Sequence, residues 1–240
     1  MPDPLSTPPR AGVIAAIRVG RVSEVTWRGE TVRTGAFKEA VTGDVAVGPL
    51  GLAGDEQGDL VNHGGPDKAV LCYGRAHYAD WRDEGIDLPE GAFFENLTVD
   101  GLTEADVCLG DRWRAGDVLF EVSQARQPCW KLSSRWSIPD LARRVKSTGR
   151  SGWYLRVVET GDLRAGTHLV LVDRWPEAVD LAEIARVMNV DKHDAPAIER
   201  VMNSPGLPEG WRAALRKRLG ERVGERRQSL RVTDEDAAGR

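Results

Sequence analysis

GDVAVGPLGLAGDEQGDLVNHGGPDKAVLCY, residues 43–73, is the stretch from which the fold can be read. Glycines at 43, 48, 51, 54, 58, 64 and 65 cut it into short pieces. That density suits a chain turning repeatedly between short strands. The stretch ends in AVLCY, residues 69–73, an apolar run of the length of a buried strand. Outward from it, 13–19, 24–28, 96–99, 118–123, 153–159 and 168–172 are further predicted strands. Residues 75–84 predict a helix ended near Gly85, and residues 138–146 a second with Pro139 in its first turn. Many short strands, glycine turns and few helices predict a mainly β fold, a β-barrel with peripheral helices.

The pattern changes after Asp173. Leu181, Ile184, Ala185 and Met188 recur at helical spacing. Ile198, Val201 and Met202 repeat the spacing behind Asp194 and Pro196, a helix-start pair. Trp211, Ala214, Leu215 and Leu219 form a third stripe, started near Pro208. Each helix has one apolar face, so the three are expected to pack together or on the barrel. The chain thus divides into a barrel domain at 12–173, a three-helix domain at 176–220 and a polar, flexible tail at 221–240.

The net charge of −4 argues against a surface built to coat nucleic acid. The C-terminal helices have no basic excess either: 176–220 hold seven Lys/Arg and seven Asp/Glu, so a DNA-binding module is disfavoured. Three cysteines, Cys72, Cys108 and Cys129, are too few and too scattered for a disulfide framework. No Cys-x-x-Cys or His-x-x-x-His pair marks a structural zinc site. With no apolar leader and no run of membrane-spanning length, the expected address is the cytoplasm.

The densest chemistry lies in His63-Gly64-Gly65-Pro66-Asp67-Lys68. Paired glycines expose backbone N–H groups to a ligand. Lys68 adds a positive charge, and His63 and Asp67 are groups that handle protons. The set suits an anion such as a phosphate, and equally a glycine turn with an Asp67–Lys68 surface pair. Asp55, Glu56 and Asp59 lack the spacing of a calcium loop and read as turn caps. Lys38 is a further candidate for a phosphate. Cys129 follows a predicted strand and a proline, with Arg126 and Lys131 close by, and nearby cations favour thiolate. Cys72 and Cys108 sit in apolar surroundings and read as core residues. Glu95 and Asn96 open a strand, as ligand-orienting groups or as a satisfied strand-end pair. Asp111, Arg112 and Arg114 flank glycines and read as ordinary surface charges around a turn.

Taken in order, GLAGDEQGDLVNHGGPDKAVLCY (51–73), FFENLTVDG (93–101) and GDRWRAGDVLFEVSQARQPCWKL (110–132) resemble the MOSC domain, the C-terminal domain of molybdenum cofactor sulfurases. The similarity is to the YiiM-like branch, whose MOSC domain precedes a small "3-alpha" domain. The resemblance implies a MOSC-type barrel and a molybdenum–pterin cofactor whose metal is bound by Cys129. It implies a cofactor site at Gly64, Gly65, Lys68, Glu95 and Asn96, with Lys38 beside it. It gives Cys129, His63 and Asp67 catalytic roles. It also implies an oxidoreductase that reduces N-hydroxylated compounds, N-hydroxylated base analogues among them, in a detoxifying role. Molybdenum is thiophilic and the pterin supplies two sulfurs, so one protein thiolate completes the sulfur set. Two other readings stay open: a sulfur carrier working through a Cys129 persulfide, and a pyridoxal-phosphate protein with Lys68 as its Schiff-base lysine. With no flavin or iron–sulfur motif in view, electrons are expected from a separate donor protein.

Overall fold

The computed structural model describes residues 10–27, 29–60 and 63–220; the expected tail lies outside the described residues. Seven strands close a ring: β1 (Ala11–Val19), β13 (His168–Asp173), β9 (Arg112–Ala115), β10 (Val118–Ala125), β11 (Trp153–Glu159), β7 (Val70–Gly74) and β8 (Leu97–Asp100), which returns to β1. Every neighbouring pair is antiparallel except β7–β8. Outside the ring, β2 (Ser23–Trp27) and β3 (Glu30–Thr34) form a separate hairpin. A short β4 (Glu39–Ala40) pairs with β1. A small sheet joins β5 (Val45–Gly48), β6 (Gly51–Leu52) and β12 (Gly161–Leu163). The predicted β-barrel with helical additions is what the chain forms.

The glycine-rich stretch lies against the β2–β3 hairpin rather than looping free. A Cβ on Gly35 would stand 1.9 Å from the Glu56 carbonyl oxygen, so only glycine lets the two backbones meet. Strand β9 corrects the reading of its charges as a turn. Arg112 and Arg114 alternate with buried Trp113 and Ala115, the period of two expected of a strand with one face in the core. Asp111 is no surface charge either. It is fully buried, accepts the Cys108 N–H at 2.7 Å and pairs with Arg174 beyond the last barrel strand.

Helix α1 (Ala76–Asp83) is where the sequence placed it. A short helix that was not predicted, α2 (Lys131–Trp136), precedes the helix predicted over 138–146, which is α3 (Leu141–Thr148). Ser137, at φ 54°, ends the first in a left-handed turn, and Pro139 precedes the second instead of lying in its first turn. These helices and the 86–94 segment pack around Tyr73, Trp81 and Phe93 in a core of their own. Three C-terminal helices follow: α4 (Leu181–Asn189), α5 (Ala195–Asn203) and α6 (209–220). Asp180 and Asp194 cap the first two by accepting the Glu183 and Ala197 N–H groups. Their apolar residues Leu181, Ile184, Ile198, Val201 and Leu215 belong to the same contiguous core as the barrel residues Trp113, Phe120 and Val122. Among the described residues no helix is long and apolar enough to cross a membrane.

His77 is a buried junction. Its Nε2 lies 2.6 Å from Glu104 Oε2 and its Nδ1 3.3 Å from Asp80 Oδ2, while Glu104 Oε1 accepts the Gly152 N–H at 2.6 Å. Burial works to lower the His77 pKa, but the hydrogen bond and charge of Glu104, helped by Asp80, raise it above the ordinary 6.5.

Two tests follow from this packing. Leu181→Ala empties a fully buried position shared by α4 and the barrel core, and should cost about 2–5 kcal/mol. Urea unfolding followed by both Trp fluorescence and far-UV circular dichroism should show one coincident, shifted transition. For His77, a raised folded pKa means stabilisation that is complete below the unfolded value and lost as pH climbs through the folded one. The stability difference between wild type and His77→Gln should therefore shrink from acid to mildly alkaline pH. A difference that grows with pH would reverse the assignment.

Candidate functional site

The site lies at one mouth of the barrel, in a cavity of about 640 Å³ open to solvent. Adjacent barrel strands supply Leu71 and Tyr154, which are register partners on β7 and β11. The end of β10 supplies Arg126, and the approach to β8 supplies Phe94 and Asn96. The rest of the wall is residues 34–36, Lys38 and residues 55–59, with His63 and Lys68 from the glycine turn.

Cys129 lines this cavity, whereas Cys72 and Cys108 are buried elsewhere. Burial and the Glu95 charge push the Cys72 thiol far up, and burial brings Cys108 to about 11. At Cys129 burial also opposes thiolate. A hydrogen bond from His63, the Arg126 charge and the Lys131 backbone N–H outweigh it, and the thiol falls below its ordinary range. Helix α2, absent from the sequence reading, starts two residues later and brings the Lys131 N–H to the sulfur.

His63 has a second neighbour. Its Nδ1 is 3.5 Å from Asp59 Oδ2, so the residue read as a turn cap accompanies the histidine. Asp67, read as the proton-handling group, is not in the cavity wall: it pairs with Arg156 at 2.8 Å, exposed on the outside. Gly64 and Gly65 do not line the cavity either. Gly65, at φ 91°, makes the left-handed turn into a single 3₁₀ turn at Pro66–Lys68, and that turn sets Lys68 in the wall.

Lys38 reaches the cavity but is not solvated. It is buried beside Asp55, to which it donates a hydrogen bond, the two side chains being 8% and 1% exposed. Desolvation lowers its pKa, against the charges of Asp55 and Glu95. Asp55 also accepts the Gly20 N–H at 2.9 Å, and Gln57 donates to its other oxygen at 3.3 Å.

Glu95 and Asn96 part company. The Asn96 amide faces the cavity and stitches strands: its Oδ1 accepts the Leu71 N–H at 3.0 Å and its Nδ2 donates to the Arg18 carbonyl at 3.1 Å. Glu95 is fully buried behind the wall, where Oε1 accepts from Tyr78 Oη, Gly91 N and Thr98 Oγ1 at 2.7–2.9 Å. Arg126 and Tyr154 are among the wall residues missing from the sequence-based set. Arg126, noted there only as a neighbouring charge, is buried and anchored on the Ser151 carbonyl at 3.4 Å. Tyr154 was not singled out at all. Burial pushes its phenol up, Arg126 opposes, and the Cys129 charge adds, so it stays protonated.

A closed seven-stranded barrel with one thiol in a cation-lined mouth is the class of protein that fold and site define. The chain belongs to the MOSC domain family: that family matches residues 59–170, and the YiiM-like, 3-alpha helix domain matches 181–221. It is 38% identical over 185 residues to protein YiiM of Escherichia coli, covering 75% of this chain and 82% of that one. It is 36% identical over 190 residues to a reductase of Gibberella moniliformis, across 76% of this chain and 34% of that longer protein. The crystal structure of YiiM from Geobacillus stearothermophilus superposes with a TM-score of 0.72 at 37% identity, covering 87% of this chain and 99% of that one.

The Lys38–Asp55 pair gives a direct test of the wall. Asp55→Ala strands a buried ammonium and should cost about 3–5 kcal/mol. Lys38→Met should cost less, since Asp55 keeps the Gly20 amide and Gln57. Urea midpoints of the two variants rank them; equal losses would show the pair to be solvated.

Proposed function

We propose that the protein is a cytoplasmic oxidoreductase that holds a molybdenum–pterin cofactor at Cys129 and reduces N-hydroxylated compounds. The observation that carries this reading is the setting of Cys129. It is the one of three thiols in the cavity wall, and its thiolate is favoured by His63, Arg126 and the Lys131 N–H. Such a soft, single ligand suits molybdenum that draws its other sulfurs from the pterin. Among the described residues no three His, Cys, Asp or Glu side chains gather as a competing metal site. Lys68, Arg126 and Lys131 in the same wall give the cofactor phosphate its positive partners. The similarity to a reductase supports a redox reaction.

When bound, the cofactor supplies a two-electron reduction in which an N–OH bond is cut and N–H forms, with two protons consumed and water released. The residues around it do the rest. Cys129 fixes the metal. The His63 imidazole, beside the sulfur, carries a proton to the cavity. The Tyr154 hydroxyl stays a donor because its burial keeps it protonated. The Lys38–Asp55 pair holds the 55–59 wall closed against β1 through Gly20. Electrons come from a separate donor protein.

Metal analysis tests the assignment. Protein purified from cells that make molybdopterin should hold molybdenum near one per chain, and protein from cells that cannot should hold none. Cys129→Ser should lose the metal, with Cys72→Ser and Cys108→Ser keeping it. Full molybdenum in Cys129→Ser would overturn the ligand and the function with it.

A further inference from the structure

A second cavity of about 590 Å³ adjoins the one that holds Cys129, and Thr34, Ala36, Phe94 and Lys131 line both. The rest of its wall is strongly aromatic: Trp27 from the β2–β3 hairpin, Phe37, and Trp130, the residue after Cys129. The Trp27 and Trp130 rings lie 4.0 Å apart between centroids and tilted by 31°, so the hairpin and the start of α2 meet through them. The Arg135 guanidinium, also in the wall, lies 4.6 Å over the Phe37 ring. Phe37 and Trp130 nevertheless remain 37% and 41% exposed. Large rings left partly in water around a concave surface mark a place where something apolar binds.

The partition between the cavities is built with care for position. Phe94 is one of only two non-glycine described residues with positive φ, at 65°. A bulky residue keeps that conformation only where its surroundings impose it. Here they do. The Phe94 N–H donates to the Gly91 carbonyl at 3.0 Å, the Gly91 N–H donates to Glu95 at 2.9 Å, and Trp136 Nε1 donates to the Ala92 carbonyl at 2.9 Å. The strained turn fixes one ring at the boundary of both spaces.

We propose that this chamber binds the flat aromatic part of the substrate, against Trp27, Phe37 and Trp130, and that Phe94 sets how far its N-hydroxylated end extends toward Cys129. Aromatic walls favour a flat ring through offset and edge-on contacts that a puckered saturated ring cannot reproduce. A guanidinium plane stacks on flat rings in the same way. The chamber therefore selects N-hydroxylated groups carried on aromatic rings over those on saturated ones. The proposal rests on the reductase reading for the reacting end of the molecule, but the ring site is a feature of the cofactor-free chain and is tested there.

The probes are benzamide and cyclohexanecarboxamide, unreactive amides that differ in ring planarity, titrated into the full-length protein from cells unable to make molybdopterin and followed by ligand-observed NMR. Benzamide should bind about tenfold more tightly. Trp130→Leu and Trp27→Ala should each weaken benzamide several-fold and leave the weak binding of the saturated amide unchanged. Melting temperature shows that each variant is folded, and the comparison of the two amides on wild type decides the matter without any variant. Equal affinity for the two amides, or undiminished benzamide binding in both folded variants, would overturn the proposal. Ring selectivity in a protein that never takes up molybdenum would leave the chamber standing and remove the reductase reading instead.

Discussion

The mouth of the barrel depends on the two hydrogen bonds of the Asn96 side chain. Strand β8 runs parallel to β7 and antiparallel to β1, and where a parallel ladder begins, backbone groups of the flanking strands lack regular partners. Asn96 supplies them, accepting from Leu71 on β7 and donating to Arg18 on β1. An unpaired buried amide or carbonyl there would cost about 1–3 kcal/mol each. The same residue fixes the approach of the 91–96 segment, which carries Phe94 into the wall and Glu95 behind it. Leu71 and Tyr154 face the same space because register holds them opposite each other on β7 and β11. The thiol thus meets a rigid floor on one side and loops on the other.

How much of this was legible depended on whether a residue's direction follows from its neighbours. The alternation of a strand and the glycine spacing were enough for the barrel. Cys129 could be chosen over Cys72 because a thiol inside an apolar run packs, whereas one beside cations ionises. Directions at turns were not legible. Asp67 and Lys68 are adjacent, but successive residues of a 3₁₀ turn point about 120° apart. Lys68 therefore enters the cavity while Asp67 turns out to Arg156. Glu95 and Asn96 separate at the bend that leads into β8, which their adjacency in the sequence does not show. Lys38 and Asp55 are joined only by the packing of residue 35 on residue 56, which no spacing announces. Helix α2 was hidden because its six residues are too few to show a repeating apolar stripe.

Charge in the cavity is arranged so that it does not cancel uniformly. Lys38 and Asp55 neutralise one another in the wall, and Glu56 is engaged with the Val22 N–H at 2.8 Å. Arg126, Lys131 and Lys68 also line the wall, from the strand end, the helix start and the 3₁₀ turn. Carboxylates around a buried thiol would oppose its ionisation; the Arg126 guanidinium and the hydrogen bond from His63 favour it. The site therefore favours an anion at the sulfur and further anionic groups around it. Its aromatic neighbour has a different character, with one guanidinium and four rings in its wall.

That division follows from chain order. Cys129 and Trp130 are adjacent, yet one lines the charged cavity and the other the aromatic chamber. Because α2 begins at Lys131, the chain changes direction between them, and consecutive side chains are sent into different spaces. Moving the helix start by one residue would turn the thiol away from His63 and Arg126 and bring an indole in its place. The short connection from β10 to α2, residues 126–130, is therefore what couples the two cavities: it brings Arg126 and the Cys129 sulfur into one cavity and the Trp130 indole against the hairpin. Pro128 limits the conformations open to the residue before it and to itself, so the arrangement is set by the backbone before any ligand arrives.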